Sequence, residues 1–279
     1  MSRTGTSNMP DTHAPPLVLP QRPVRFRARG FVAERRRGAS LVAFVGIIVA
    51  WEAAVRSGFV NPLFLPAPSD VVRSLWGLIE DGSLWQNLSA SLFRLGVGWV
   101  LGTLAGIAAG FVIGLSSLAR AAGIPVISAI YPVPKIALLP LFILWLGIGE
   151  TSKVTVVALG VFFPTAIATF SAIDNVPRGY IRMAQSFDVP PFDILRKVVL
   201  PAALPGILSA FRITASVGLL LLVAAEMIGA QFGIGAFVLT QGQLMQTDAL
   251  LAGVCVISCL GLLIGAALSW LEKRLLVWR

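Results

Sequence analysis

Six long runs of mostly apolar residues leave this chain one economical way to fold. They lie at about Leu41–Val55, Ser91–Leu115, Ile124–Leu146, Val154–Ile173, Pro205–Ile228 and Leu250–Leu271. A helix of about twenty residues spans the hydrocarbon of a bilayer and satisfies its own backbone there. Of the 279 residues, 56% are hydrophobic and 13% charged, with a mean hydropathy of +0.84. No soluble core needs that much apolar sequence. The expectation is an all-α polytopic membrane protein with six transmembrane helices.

Charge sets the topology. The net charge is +9, and eight of the 22 Lys and Arg fall in the first 38 residues. Others cluster in the segments 174–204 and 272–279. Segments 56–90, 147–153 and 229–249 hold Arg56, Arg73 and Lys153 against Asp70, Glu80, Asp81, Glu150 and Asp248. By the positive-inside rule both termini are cytoplasmic. This distribution marks topology and a preference for anionic lipid, and it excludes nucleic acid as a partner. Residues 1–38, polar and rich in Pro and Arg with no apolar signal-peptide core, read as a disordered basic cytoplasmic tail. Residues 39–279 form the transmembrane domain. The outer stretch FLPAPSDVVRSLW reads as extended, then helical from a cap at Ser69 or Asp70.

Few residues inside the spans carry chemistry. Nucleotide-binding, metalloprotease and nucleophile-elbow motifs are absent. With a lone His13 and two cysteines, Cys255 and Cys259, no metal site or disulfide framework is expected; the cysteines read as small buried hydrophobes on one helix face. No cofactor is implied, and no buried carboxylate chain for proton coupling is evident. Lys135 lies about 16 Å into the third run at the helical rise, directly after Pro132 and Pro134. Prolines there free backbone carbonyls, which is tolerated where they face protein or a water-filled cavity. Pro132, Pro134 and Lys135 are therefore candidates for a solute path that attracts an anion, against a kink with a snorkelling lysine. Glu226, near the outer end of the fifth run, faces a gate or partner or else packs as a satisfied carboxylate. Arg94 and Glu52 are expected at the interface, and Arg212 lies too far along its helix to pair with Glu226. Gly102, Gly106, Gly110 and Gly114 recur every four residues and prepare one face for close helix approach. Trp76, Trp85, Trp145, Trp270 and Trp278 read as interfacial belts, with Trp99 deeper.

The polar segment Arg178–Pro201, RGYIRMAQSFDVPPFDILRKVVLP, is basic and amphipathic, with two short helices expected around a break at Pro190-Pro191. Such a loop is a docking surface or a solvated connector.

This loop resembles the signature EAA-x3-G-x9-I-x-LP of permease subunits in bacterial ABC importers. Ala184 stands at the second alanine, Val198 at the isoleucine, and Leu200-Pro201 at the final pair. Arg182 and Met183 replace Glu-Ala, and Asp188 replaces the glycine. The stretches FLPAPSDV, YPVPKIALLPLFILWLGIGETSKV, VVLPAALPGILSAFRI, AAEMIGA and LEKRLLVWR look like the nitrate/sulfonate/taurine type, from about Leu41 to Arg279. The resemblance implies the type I ABC importer permease fold in the bacterial inner membrane, without enzymatic activity of its own. Its implied partners are a second permease copy, a dimer of a separate cytoplasmic ATP-binding subunit and a periplasmic substrate-binding protein. The coupling loop would be 174–204, with Arg178, Ile181, Arg182, Ala184, Phe187, Asp188, Leu200 and Pro201 as its site residues. Ile181, Ala184 and Phe187 are the apolar positions for seating in a groove of the ATPase. The implied solute is a small anion such as taurine, an aliphatic sulfonate or nitrate. Alternatives are another small solute, such as a thiamine-precursor pyrimidine, or an ion-coupled secondary carrier.

Overall fold

Gly102 to Gly114 dictate the centre of the architecture, because they allow two helices to touch along their backbones. In the computed structural model, which describes residues 37–276, the polypeptide is helical throughout its regular regions. The elements are α1 (Arg37–Arg56), α2 (Pro68–Glu80), α3 (Ser83–Leu115), α4 (Ser117–Ile130), α5 (Leu139–Leu146) and α6 (Glu150–Asp174). They continue as α7 (Arg178–Ser186), α8 (Pro191–Ile194), α9 (Leu200–Gly229), α10 (Ile234–Gln243) and α11 (Thr247–Leu275). The chain divides into two units, Met1–Ile47 and Ile48–Arg279. Within the first, Leu41, Val42, Phe44, Val45 and Ile47 of α1 are exposed. The basic tail expected over 1–38 lies, save for its last two residues, outside the described residues.

In the second unit α3 lies along α6, and α6 along α9. A Cβ added at Gly98 would sit 2.8 Å from Val157 Cβ, and one at Gly106 would sit 2.7 Å from the Phe162 carbonyl oxygen. At Gly110 the obstacles are Thr169 Cβ at 2.5 Å and the Ala166 oxygen at 2.8 Å, and at Gly114 Ile173 Cδ1 at 2.8 Å. Every fourth residue of α3 is thus pressed on α6, as small-residue stripes do between membrane helices. Thr165 and Thr169, fully buried at this seam, return their hydroxyls to carbonyls four residues earlier. Leu95, Val157, Val161 and Leu222 close the α3–α6–α9 core.

Among the described residues, four helices have the length and hydropathy of membrane spans: α3, α6, the stretch Pro191–Gly229 and α11. The third expected span is broken: α4 and the segment Lys135–Leu146 meet at 83° across the Pro132-Pro134 break. Leu139, wholly buried against Val156 and Ala225, fixes the second limb. The expected first span is α1, at the margin of the described residues. Real helices outrun the apolar runs: α3 starts at Ser83 because polar SLWQNLSA still forms helix.

Three expectations fail here. The α2 N-cap is Ala67, without a side-chain cap; Ser69 instead donates its hydroxyl to Glu52 (2.7 Å) and accepts from Arg56 (2.7 Å). Cys255 and Cys259 are exposed on α11 rather than buried. The segment 229–249, read as a loop, contains α10, packed on α9, α11 and α3.

Candidate functional site

The two ends of the second unit use charge differently. At the end where α3 begins, Arg94 is 3% exposed, contrary to the interfacial place expected for it. Its Nη1 donates to Glu226 Oε1 (2.7 Å) and to the Phe232 carbonyl (2.6 Å), and its Nη2 to Glu150 Oε1 (2.8 Å). Glu226 also accepts from the Ser91 hydroxyl (2.8 Å) and from the Gly235 N–H (2.9 Å). Ser91 in turn accepts from the Ile234 N–H, and Asn87 from the Gly233 N–H, each at 2.9 Å. Gly233 has φ +137°, and a Cβ there would lie 2.7 Å from Arg94 Nη1, so the turn into α10 needs glycine. The α9–α10 turn is thus held by three buried side chains and the half-buried Asn87, and both carboxylate oxygens of Glu226 are bonded. Glu226, singled out as a path residue, is enclosed framework, 1% exposed. Arg212 pairs instead with Glu272 (3.1 Å). Lys153, also 3% exposed, caps the Ile148 and Gly149 carbonyls (2.9 and 3.0 Å).

At the α4–α5 break, Lys135 Nζ donates to the Ile130 carbonyl (3.3 Å) and the Tyr131 carbonyl. Pro134 has no N–H to offer the Ile130 carbonyl, which accepts from the Val133 N–H (3.1 Å) as well. The ammonium also lies 5.0 Å from the ring centroids of both Tyr131 and Phe163. An ammonium has three donors, so one N–H remains beyond those two bonds. Pro132 and Pro134 are exposed beside it. A separate hollow of ≈ 230 Å³, lined by Leu92, Leu95, Trp99, Ala215, Ile264 and Leu268 among others, is apolar and offers an anion nothing.

At the other end the segment 174–204 folds as a small unit on the base of α9. Ile173, Val176, Ala184, Ile194, Val199, Ala203 and Ile207 form one core, with Ile181 packed on it. Ala184 and Ile181 therefore face inward, and only Phe187 of the three apolar positions expected to seat in a partner is exposed, at 76%. The exposed large apolar side chains are Tyr180, Met183, Phe187, Phe192 and, at the start of α9, Leu200. Arg178 and Arg182 are exposed with no carboxylate partner among the described residues, whereas Lys197 is matched by Asp193 at 3.1 Å. Leu200 and Pro201 are exposed at the start of α9.

The end of α7 explains the glycine position of the signature. Asp188 N–H donates to the Gln185 carbonyl (3.0 Å) and Val189 N–H to that of Ala184 (3.2 Å). This is a Schellman turn, and its left-handed residue is Asp188, φ +52°. Aspartate is among the few side-chain-bearing residues that adopt this conformation with ease. The expected break at Pro190-Pro191 is present, but the second short helix does not end. It passes through a π-helical turn, Leu195–Val199, into α9.

Helical spans, one of them proline-broken, with a self-folded amphipathic loop at one end, define a polytopic α-helical membrane protein. Residues 102–277 match the family described as the binding-protein-dependent transport system inner membrane component. The chain is 38% identical over 237 residues to the taurine transport system permease protein TauC of Escherichia coli (strain K12), covering 83% of this chain and 86% of that protein. It is 35% identical to the putative aliphatic sulfonates transport permease protein SsuC of Bacillus subtilis (strain 168), covering 84% of each. A chain of the MetNI methionine ABC transporter, solved in inward-facing conformations, superposes with TM-score 0.59 at 22% identity, over 71% of this chain and 96% of that one. The chain therefore belongs to the family of ABC importer permeases, inner-membrane components of binding-protein-dependent transport, and has their type I fold.

Proposed function

We propose that this protein is the membrane-spanning subunit of an importer for taurine or an aliphatic sulfonate. The observation that carries the reading is its 38% identity to a taurine permease over 83% of the chain. Energy comes from a separate cytoplasmic ATP-binding subunit, in two copies, and solute from a periplasmic binding protein. Two permease copies enclose the path. The loop 174–204 is the cytoplasmic element seated in the ATPase, through Tyr180, Met183, Phe187 and Phe192. Ala184 and Ile181 support it from behind.

ATP binding draws the two loops together and turns the permease outward; hydrolysis restores the inward state. Within each permease the α3–α6–α9 body moves as one piece. Lys135, with its unoccupied donor beside the proline break, is the anion-attracting point of the path. Taurine and alkanesulfonates share a sulfonate, which suits a single cationic donor; nitrate and pyrimidines lack comparable support.

The test is ATP hydrolysis by the permease reconstituted with its ATPase and binding protein, in taurine, alkanesulfonates, nitrate and pyrimidines. Stimulation by the sulfonates, weakened in Lys135→Met, is the expected result. Stimulation by pyrimidine alone would remove the sulfonate assignment, and failure to assemble with any ATPase would sink the importer reading.

A further inference from the structure

The outward face of α7 has an unusual cross-section. At about 100° per residue, Ile181 and Ala184 define the buried side. Tyr180, Met183 and Phe187 then form an apolar stripe on one flank, and Arg178 and Arg182 a cationic stripe on the other. Between the stripes, pointing away from the loop core, are Gly179 and Ser186. A Cβ added at Gly179 would meet nothing within 4 Å. The helix thus presents a bare ridge with an apolar wall on one side and a charged wall on the other.

We propose that the receiving groove of the ATP-binding subunit is two-sided, one wall apolar and the other lined by carboxylates that pair with Arg178 and Arg182. This rests on the importer reading above and adds the chemistry of the partner's surface and the orientation of the helix within it. Small residues on the ridge let the groove floor approach the helix backbone. The unlike walls admit the helix in one rotational setting, since turning it over would set arginine against the apolar wall and bury its charge unpaired. Charge complementarity favours this occupant. Among the described residues neither arginine has a carboxylate partner, while the neighbouring Lys197 already has Asp193. A flat anionic bilayer fits less well, because it would meet the bare ridge first and leave both stripes at its margins.

The experiment uses the full permease in lipid nanodiscs and the purified ATP-binding subunit. Association is measured for wild type, Arg178→Glu/Arg182→Glu, Arg178→Lys/Arg182→Lys and Phe187→Ala across a salt series. Thermal unfolding of each permease confirms folding, since these side chains are exposed. Like charges across an interface repel strongly, so the double reversal weakens association by about 100-fold or more, and the lysine pair retains most of it. Wild-type affinity falls with salt. Phe187→Ala loses affinity but keeps the wild-type salt dependence. Lysines at groove carboxylates of the ATP-binding subunit restore assembly with the double reversal.

If the double reversal assembles like wild type while Phe187→Ala does not, the importer reading stands and the acidic wall is wrong. If the reversal leaves assembly intact but abolishes binding of the permease's loop face to phosphatidylglycerol vesicles, the arginines serve lipid and the proposal is overturned. If wild-type permease binds no ATP-binding subunit, both readings fall.

Discussion

The Arg94 cluster and the α7 loop are both rich in charge, yet one is closed and the other open. Arg94, Glu226 and Ser91 are buried and bonded to one another, to Glu150 and to the backbone of the α9–α10 turn. Arg178 and Arg182 are exposed and unmatched among the described residues. The difference teaches where to look for function. Charge whose every bond is internal fixes the framework, and charge with open valence awaits something outside the chain. The buried Arg94 ties α3 to α6 through Glu150 and to α9 through Glu226, and to the turn before α10 through the Phe232 carbonyl.

The comparison breaks first at Arg94. Arg94→Met leaves Glu226 buried without its cation, and breaking such a pair costs about 3–5 kcal/mol. Folded yield in detergent should collapse, and Arg94→Met combined with Glu226→Gln should recover part of it. A wild-type melting profile for the single variant would show that the cluster is dispensable. Next is the seam beneath it. Gly110→Val forces a side chain against the Ala166 carbonyl and Thr169, and overpacking of this kind costs roughly 1–3 kcal/mol. Its signature is a lower thermal midpoint with the α7 loop still competent to bind the ATPase.

Phe187→Ala sharpens the contrast from the other side. It should leave thermal stability within about 0.5 kcal/mol, as surface changes do, while solute-stimulated ATP hydrolysis falls. Loss of stability instead would place Phe187 in the loop's own core. The smallest effect belongs to Asp188→Gly. The left-handed position favours glycine, so a gain of up to about 1 kcal/mol is expected in the denaturation midpoint of the purified permease. A loss would mean that the Asp188 carboxylate has a partner of its own.

Much of the framework was legible in the sequence. The apolar runs located α3, α6, α9 and α11; the prolines located the 83° break; and the glycine spacing anticipated the α3–α6 seam. Arg94 was misplaced because its partners lie 56 and 132 residues away, and only the tertiary fold brings them together. Glu226 carried both readings, and a lone carboxylate near a helix end does not reveal its cation. Helix α10 was missed because IGAFVLTQGQ is too short to register as a span and contains glycines that read as loop. In α7 the amphipathic pattern was correct, but apolar residues occur on two sides of that helix. Periodicity alone does not say that Ala184 turns inward and Phe187 outward. The Schellman turn was written in the signature's glycine, and aspartate in its place concealed it.

The π-helical turn at Leu195–Val199 has a consequence for anyone altering this chain. It stores one surplus residue between two helical surfaces, so the base of α9 and the loop platform are out of phase by about 100° relative to an unbroken α-helix. Deleting a single residue there would convert the turn to ordinary helix without severing anything. It would leave the docking platform where it is around the axis of α9, because the bulge takes up its extra residue within a single turn. The bulge is a phase setter: straightening it into α-helix at constant length would turn the platform by about 100° and misdirect the loop's grip, and removing its surplus residue would not.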